Sequence, residues 1–463
     1  MRRTAPLLIL LALTASAELA SSDDWNQWRG PRRDGRARAS EGPSEWRGLE
    51  LTTVWKRPVG VGYAAPSVAK GRVFSLGASA GKETLRAFRA TDGDPLWSFS
   101  YAAKSFDRMN VGGPAASPCI IAGRVFTLSR DGQAHCLDAA SGQLLWRRDF
   151  VQQHGAKPPS FGVAGSLVIE AGRVYLEIGR VFCLDADTGA VIWQSGDEGS
   201  GYSTPVLFDH GGARQLAAFP DAALIILDPA TGVERARFPW THKPNVHAAT
   251  PLVFAGGTRI FISTGYNKGC ALLAFDGAAL KAVWKNRNMR TEMATCALQG
   301  ELIIGFDNAT LRALDAQDGK ILWSARGYGK GSLIVVGDTL LVLTDKGEIV
   351  AGSATRSGFT PLMRRAMLDG QGCWTAPVVS DGRLYLRDPG GQLLSARLRD
   401  RDAPAPRVPG PVHPVRGARG GLALLPLLHV LAAGLAAVHG AHADPAGTGP
   451  EKESFKGACS IDF

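Results

Sequence analysis

Long amphipathic helical runs are missing from the middle of this 463-residue chain, roughly residues 50 to 400, so nothing there reads as a helical bundle. Cysteine is scarce, with 7 in all, and no two are adjacent or set at zinc-type spacing. No glycine loop stands ahead of a helix to cradle a phosphate. Basic residues outnumber acidic ones and the net charge is +10, but they are scattered through Gly-Arg turns. A stripe of basic residues interleaved with aromatics, the footprint of nucleic-acid binding, is absent. The excess reads as solvated turns with at most a mild preference for anionic partners. No catalytic grouping can be read from residue order, since a Ser/His/Asp set is spatial.

What the chain has in abundance is glycine, 56 residues, and a stretch that keeps returning. Leu137-Asp138-Ala139-Ala140-Ser141-Gly142-Gln143-Leu144-Leu145-Trp146 recurs as Leu184 to Trp193 and again as Leu314 to Trp323. Looser copies end at Trp97 and Trp284. A further copy starting at Leu227-Asp228 has Ala236 in place of tryptophan. The unit reads as two strands and a tight turn. The aspartate accepts hydrogen bonds from backbone N–H groups two residues on. Glycine supplies the positive φ of the turn. The indole offers the largest apolar surface of any side chain, and so docks each unit onto its neighbour. On this reading Trp55, Trp97, Trp146, Trp193, Trp284 and Trp323 are structural docking residues.

Upstream of each copy comes a small residue or proline, an apolar strand, a Gly-Arg-type turn and a second apolar strand, as in Pro66 to Phe74 and Pro118 to Phe126. Each period therefore carries four strands. Inner strands are placed at about Pro66, Pro118, Leu167, Pro205, Pro251, Thr295, Ser332 and Pro377. The expected fold class is all-β, an eight-bladed β-propeller of four-stranded antiparallel blades with a period of about 40–50 residues. The last unit, Pro377 to Leu398, has only three strands. Leu51 to Arg57 looks like an outer strand carrying Trp55, so the N-terminal strand closes the eighth blade and removes the free edges. Three departures stand out: Arg89 replaces the turn aspartate of the first unit, Leu280 replaces the turn glycine of the fifth, and the seventh unit lacks the motif, which puts its packing in doubt.

These residues resemble the PQQ-like repeat proteins, propellers whose blades carry an Ala-x-Asp-x-x-Thr-Gly-x-x-x-Trp motif. Trp25-Asn26-Gln27-Trp28-Arg29-Gly30-Pro31-Arg32-Arg33-Asp34-Gly35 looks like the opening of an exported bacterial subgroup. The family includes quinoprotein alcohol dehydrogenases and the non-enzymatic propeller lipoprotein of outer-membrane assembly. The resemblance implies the fold over about residues 25–400 and leaves activity open, because the motif is structural. The dehydrogenases carry an adjacent-cysteine disulfide beneath the cofactor; its absence here counts against that activity. Cys136 and Cys183 share a blade position, and Cys119, Cys270, Cys296 and Cys373 lie in or beside strands. Export permits disulfides, but buried free thiols are an equal expectation.

At the N-terminus, Arg2-Arg3, the Leu7 to Leu13 run and Ala15-Ser16-Ala17 make a secretory signal peptide over residues 1–17. No cysteine follows that run, so it is not a lipoprotein signal. The expected layout continues with an extended segment at 18–50, the propeller at 51–400 and a Pro-rich linker at 401–420. An apolar segment at 421–438 and a disordered tail at 439–463 follow. The 421–438 run is at the short limit of a membrane span, and Arg416 and Arg419 lie on the wrong side of it for a C-terminal anchor. Anchor, fused signal-like stretch and disordered tail all remain open readings, and membrane association depends on the first. The expected location is the periplasm or cell envelope.

In a propeller the loops leading to the inner strands line one mouth of the channel. Aligned on the strand starts, these loops offer Tyr63, Phe161, Tyr202, His247, Glu292, Tyr328 and Trp374 as ligand-binding candidates. Aromatics around a few polar groups suit a pocket; the alternative is that they plug the channel and pack on one another. Glu292 alone is too little for calcium, which takes six to eight oxygens. His242 and His247 have no third ligand in view, so no metal site and no catalytic set is assigned. The function expected is a monomeric, exported, non-catalytic scaffold binding a cell-envelope protein, peptide or glycan, without nucleic acid or cofactor. The alternative is a PQQ- and calcium-dependent dehydrogenase. A polysaccharide hydrolase is a weaker third, since no paired carboxylates occupy matched loops.

Overall fold

A computed structural model of the chain describes residues 24–107, 110–244 and 246–399. The signal-like start, the Pro-rich stretch, the 421–438 run and the tail lie outside the described residues. Eight sheets follow one another along the chain. Blade 1 is Ser67–Ala69, Arg72–Ser79, Lys82–Arg89 and Pro95–Ala102. Blades 2 to 6 repeat that antiparallel order, with inner strands beginning at Cys119, Val168, Val206, Leu252 and Ala297. Blade 7 begins at Ser332 and blade 8 at Val378. Each observed start lies within two residues of its sequence placement. Closure is as expected: Glu50–Pro58 pairs antiparallel with Gln392–Arg399 and completes blade 8. Helix is confined to a five-residue turn at Phe150–His154 and a three-residue 3-10 turn at Ala39–Glu41 among the described residues.

The repeated motif has a two-sided logic. Within a blade the aspartate ties its own turn: Asp138 Oδ1 accepts from the N–H groups of Ala140 at 3.1 Å and Ser141 at 2.7 Å. Asp185 does the same for Asp187 and Thr188. Between blades, each tryptophan reaches the turn of the following blade. Trp97 Nε1 donates to Ala139 O, Trp146 to Ala186 O, Trp193 to Pro229 O and Trp284 to Ala316 O. Trp55 closes the circle by donating to Ala90 O at 3.1 Å. The ring lies flat on the glycine of that turn. A Cβ built on Gly93, Gly142, Gly189, Gly232 or Gly319 would come within 2.6–2.7 Å of the indole of the preceding blade. Glycine is therefore required twice, by its positive φ and by the neighbour's ring.

In every blade the register between the third and outer strands slips at the residue just before the tryptophan position. Such a bulge re-aims the next side chain. Here it turns the indole toward the neighbouring blade and leaves Leu145, Ile192 and Val283 exposed.

Two departures are one exchange. Ala236 of blade 4, in the tryptophan position, and Leu280 of blade 5, in the glycine position, are both buried in the same cluster. A small residue faces a large one where elsewhere a large one faces a small one. The motif-less seventh blade also keeps its interface: Trp323 Nε1 donates to Thr355 O at 2.7 Å, and the ring stacks on Phe359 at 6.2 Å. Arg89, in the aspartate position of blade 1, pairs with Asp92 at 2.9 Å and Asp94 at 3.1 Å, so ion pairs stand in for the Asx turn.

The six described cysteines are free and buried. The segment from Asp24 to Gly42 lies inside the ring, against its inner strands. Trp25 bridges Val68 of blade 1, and Asn26 Nδ2 donates to Ile120 O of blade 2 at 2.9 Å. Arg33 pairs with Glu170 of blade 3 at 3.2 Å. Arg36–Ala37 runs parallel to the inner strand of blade 7. Arg29, fully buried, donates to the carbonyls of Arg33 at 3.3 Å and Asp34 at 2.7 Å and so folds the segment on itself. The channel is thus plugged by the chain's own N-terminal segment.

Candidate functional site

The inner-strand loops of all eight blades converge on a cavity of about 410 Å³, within the range of small-molecule pockets. Its floor is Trp28 of the plug, whose Nε1 donates to Thr250 Oγ1 at 3.2 Å. Five of the seven sequence candidates line it: Tyr63, Phe161, Tyr202, Glu292 and Trp374. The rings of Tyr63 and Trp374 stack at 5.2 Å with an interplanar angle of 14°. Tyr202 Oη accepts the Phe161 N–H at 3.3 Å, which leaves its own O–H free to donate. Burial raises the phenols of both Tyr63 and Tyr202 above their ordinary value.

Two candidates are elsewhere. His247 is fully buried, with Nδ1 2.9 Å from Pro220 O and its ring stacked on Phe219 at 4.4 Å. Burial pulls it down to about 4, so it is a neutral core residue. Tyr328 packs edge-on against Phe359 at 5.8 Å, under the Arg364 guanidinium. For His247 the cause is parity along an extended segment. Val246, Ala248 and Thr250 line the cavity, and His247 between them points the other way.

Sequence reasoning missed Trp28, Arg130, Tyr266 and Lys330. Arg130 and Tyr266 lie on the turns between second and third strands, which reach the same mouth as the inner-strand loops. Lys330 Nζ sits 2.6 Å from Glu292 Oε2 and neutralises that carboxylate. Arg130 is only 4% exposed, and its Nε has no hydrogen-bond partner. Its backbone N–H donates to Glu83 Oε1 at 3.0 Å, and Tyr101 Oη donates to Glu83 Oε2 at 2.8 Å. Burial lowers the guanidinium, opposed by nearby Glu83, Tyr202 and Tyr63. Burial also pushes Glu83 up to about 7.

Against this geometry the comparisons can be weighed. The family model described as "Outer membrane protein assembly factor BamB" matches residues 81–325 and 307–403. This chain belongs to that family of PQQ-like repeat propellers. The BamB of Moranella endobia is 25% identical over 301 residues, 60% of this chain and 73% of that protein. The BamB of Yersinia pestis is 29% identical over 29% of this chain, a match spanning 32% of its own length. Among solved structures, BamB from Moraxella catarrhalis superposes with a TM-score of 0.56 at 17% identity, covering 75% of this chain and 98% of that one. The quinohemoprotein alcohol dehydrogenase of Comamonas testosteroni gives 0.59 at 15% identity, covering 83% and 82%. These two structural likenesses speak for the fold alone.

The dehydrogenase fold raises the question of PQQ with calcium. Glu292 is the one carboxylate lining the cavity among the described residues, and it is already paired with Lys330. Calcium needs six or more oxygens, and no group of three or more His, Cys, Asp or Glu side chains converges among the described residues. PQQ is a polyanion, and of the two lining cations among the described residues Lys330 is already held by Glu292, while Arg130 has the Glu83 carboxyl close by. The donor set does not fit that pair.

Proposed function

We propose that this protein is exported and acts in the cell envelope as a non-catalytic scaffold, binding another protein, a peptide or a glycan. The observation that carries the reading is the combination of BamB family membership with a plugged channel. The inner-strand loops surround a blind cavity whose single carboxylate among the described residues is neutralised. Hydrolysis of a glycan by paired carboxylates finds no second acid there among the described residues. The quinoprotein alternative lacks the oxygen ligands for calcium. A closed propeller presents broad rims of loops, which suit a protein-sized partner. The relatives named outer-membrane assembly factors point to an envelope protein as that partner.

The test is proximity cross-linking of the tagged full-length protein in the envelope fraction, followed by mass spectrometry. Reproducible enrichment of an envelope protein is expected, and its loss on substituting rim loops. Recovery of the protein in the cytoplasm with residues 1–17 retained, or no enriched partner, would sink the reading. Addition of PQQ and Ca²⁺ is expected to leave Tm unchanged, whereas tight binding would stabilise the fold by several kcal/mol at saturation.

A further inference from the structure

Among the described residues the cavity holds one charged side chain that makes no hydrogen bond within the fold. Arg130 is 4% exposed and makes no side-chain hydrogen bond or ion pair among the described residues. Burying an unpaired guanidinium is costly, and proteins keep such groups where a ligand completes them. The nearest carboxyl, Glu83, is occupied by the Arg130 backbone N–H and the Tyr101 hydroxyl. The Glu292–Lys330 pair across the cavity is self-neutralised. Beside Arg130 stand the phenols of Tyr63 and Tyr202, and the Tyr202 O–H is free to donate. The wall is flat and aromatic, built from stacked Tyr63 and Trp374, and Trp28 blocks passage beyond it.

We propose that this cavity binds a small organic acid, one carboxylate held by the Arg130 fork and the Tyr202 hydroxyl, with an aromatic body against Tyr63 and Trp374. A single guanidinium matches a single carboxylate in bidentate geometry. The charge of the guanidinium selects an anion over a neutral amide. The blind floor limits the ligand to a free acid or the last residue of a chain. This binding is independent of the envelope partner, because it is read on purified protein alone.

The experiment titrates the purified protein with aromatic monocarboxylates, from benzoate to indole-3-acetate and 2-naphthoate, and with their primary amides, by calorimetry and ligand-observed NMR. At least one carboxylate is expected to bind about tenfold or more tighter than its amide. Arg130→Met is expected to abolish binding while its unliganded Tm stays equal to or above the wild type, and Arg130→Lys to weaken it by about tenfold. Failure of every carboxylate to bind at about 5 mM would overturn the proposal. So would equal affinity for acid and amide, or undiminished binding by Arg130→Met. If Arg130→Met does not fold, the acid–amide comparison on the wild type decides. A short peptide ending in phenylalanine, free or amidated, separates the two sources: binding of the free form as tight as the acids assigns the carboxylate to a chain end, and weaker binding assigns it to a free acid.

Discussion

If each motif glycine is there to receive the preceding blade's indole, then Trp146 and Gly189 are energetically coupled across the interface of blades 2 and 3. Trp146 is 6% exposed and its Nε1 lies 2.9 Å from Ala186 O. Trp146→Ala loses a buried ring and one hydrogen bond, a cost of about 3–5 kcal/mol. Gly189 has φ +68°, and a Cβ there would meet Trp146 Cδ2 and Cε3 at 2.7 Å. Gly189→Ala therefore carries two penalties: about 1–2 kcal/mol for a left-handed non-glycine residue, and displacement of the ring. In the Trp146→Ala background the second penalty vanishes and only the first remains. The double-mutant cycle should show a coupling of at least about 1 kcal/mol, with the double mutant more stable than the sum of the singles. Thermal unfolding reads it. On the usual size scaling, a propeller this large shifts by about 1–2 °C per kcal/mol, so Trp146→Ala should lower Tm by about 3–10 °C. If Gly189→Ala costs the same in both backgrounds, glycine is there for φ alone, and the docking argument fails.

The Ala236–Leu280 exchange predicts that Leu280→Ala costs about 2–5 kcal/mol, because the facing Ala236 is too small to fill the gap. A loss below about 0.5 kcal/mol would show that Leu280 does not fill the tryptophan's space. Glu177 is buried, its Oε1 accepts from Gly179 and Gly201, and its Oε2 has no partner. Burial pushes it up to about 7 from its ordinary 4.5. Between those values the native state holds a proton that the unfolded state has released. Stability therefore falls as pH rises from 4.5 to 7, by about 3 kcal/mol for this group. Glu177→Gln should flatten that slope and raise Tm at pH 8 relative to the wild type; an unchanged slope would assign the dependence elsewhere. Burial pushes the thiols of Cys119, Cys136, Cys270 and Cys373 up to about 12, so native-state alkylation should spare the six described cysteines and denaturation should release them all. Rapid native labelling of Cys136, read by peptide mapping, would contradict the burial.

The blade starts were legible because period and composition coincide: proline or a small residue, then an apolar strand, then a Gly-Arg turn. The closing strand was legible because Trp55 repeats the outer-strand signature. Tyr63, Phe161, Tyr202, Glu292 and Trp374 came from aligning the inner-strand loops, and the cavity unites them. His247 came from a register one residue off, and alternation along an extended segment turned it into the blade interface; Tyr328 precedes left-handed Gly329, which breaks the extended run, and it packs on Phe359 instead. Arg130 left no signal, since one arginine in a polar turn looks like any other solvated charge.

By itself the sequence determined the repeat, and with it the number of blades, their order and the residues that dock them. Those are local facts, because strand, turn and indole recur at fixed spacing and need only the nearest blade to make sense. Only the tertiary structure decided what occupies the centre. Trp28 reaches Thr250 and Arg33 reaches Glu170 across separations of more than a hundred residues, and such contacts exist only once the ring has closed. The same closure strips Arg130 of water while giving its side chain no hydrogen bond among the described residues, and so turns an ordinary basic turn residue into the charged wall of a cavity.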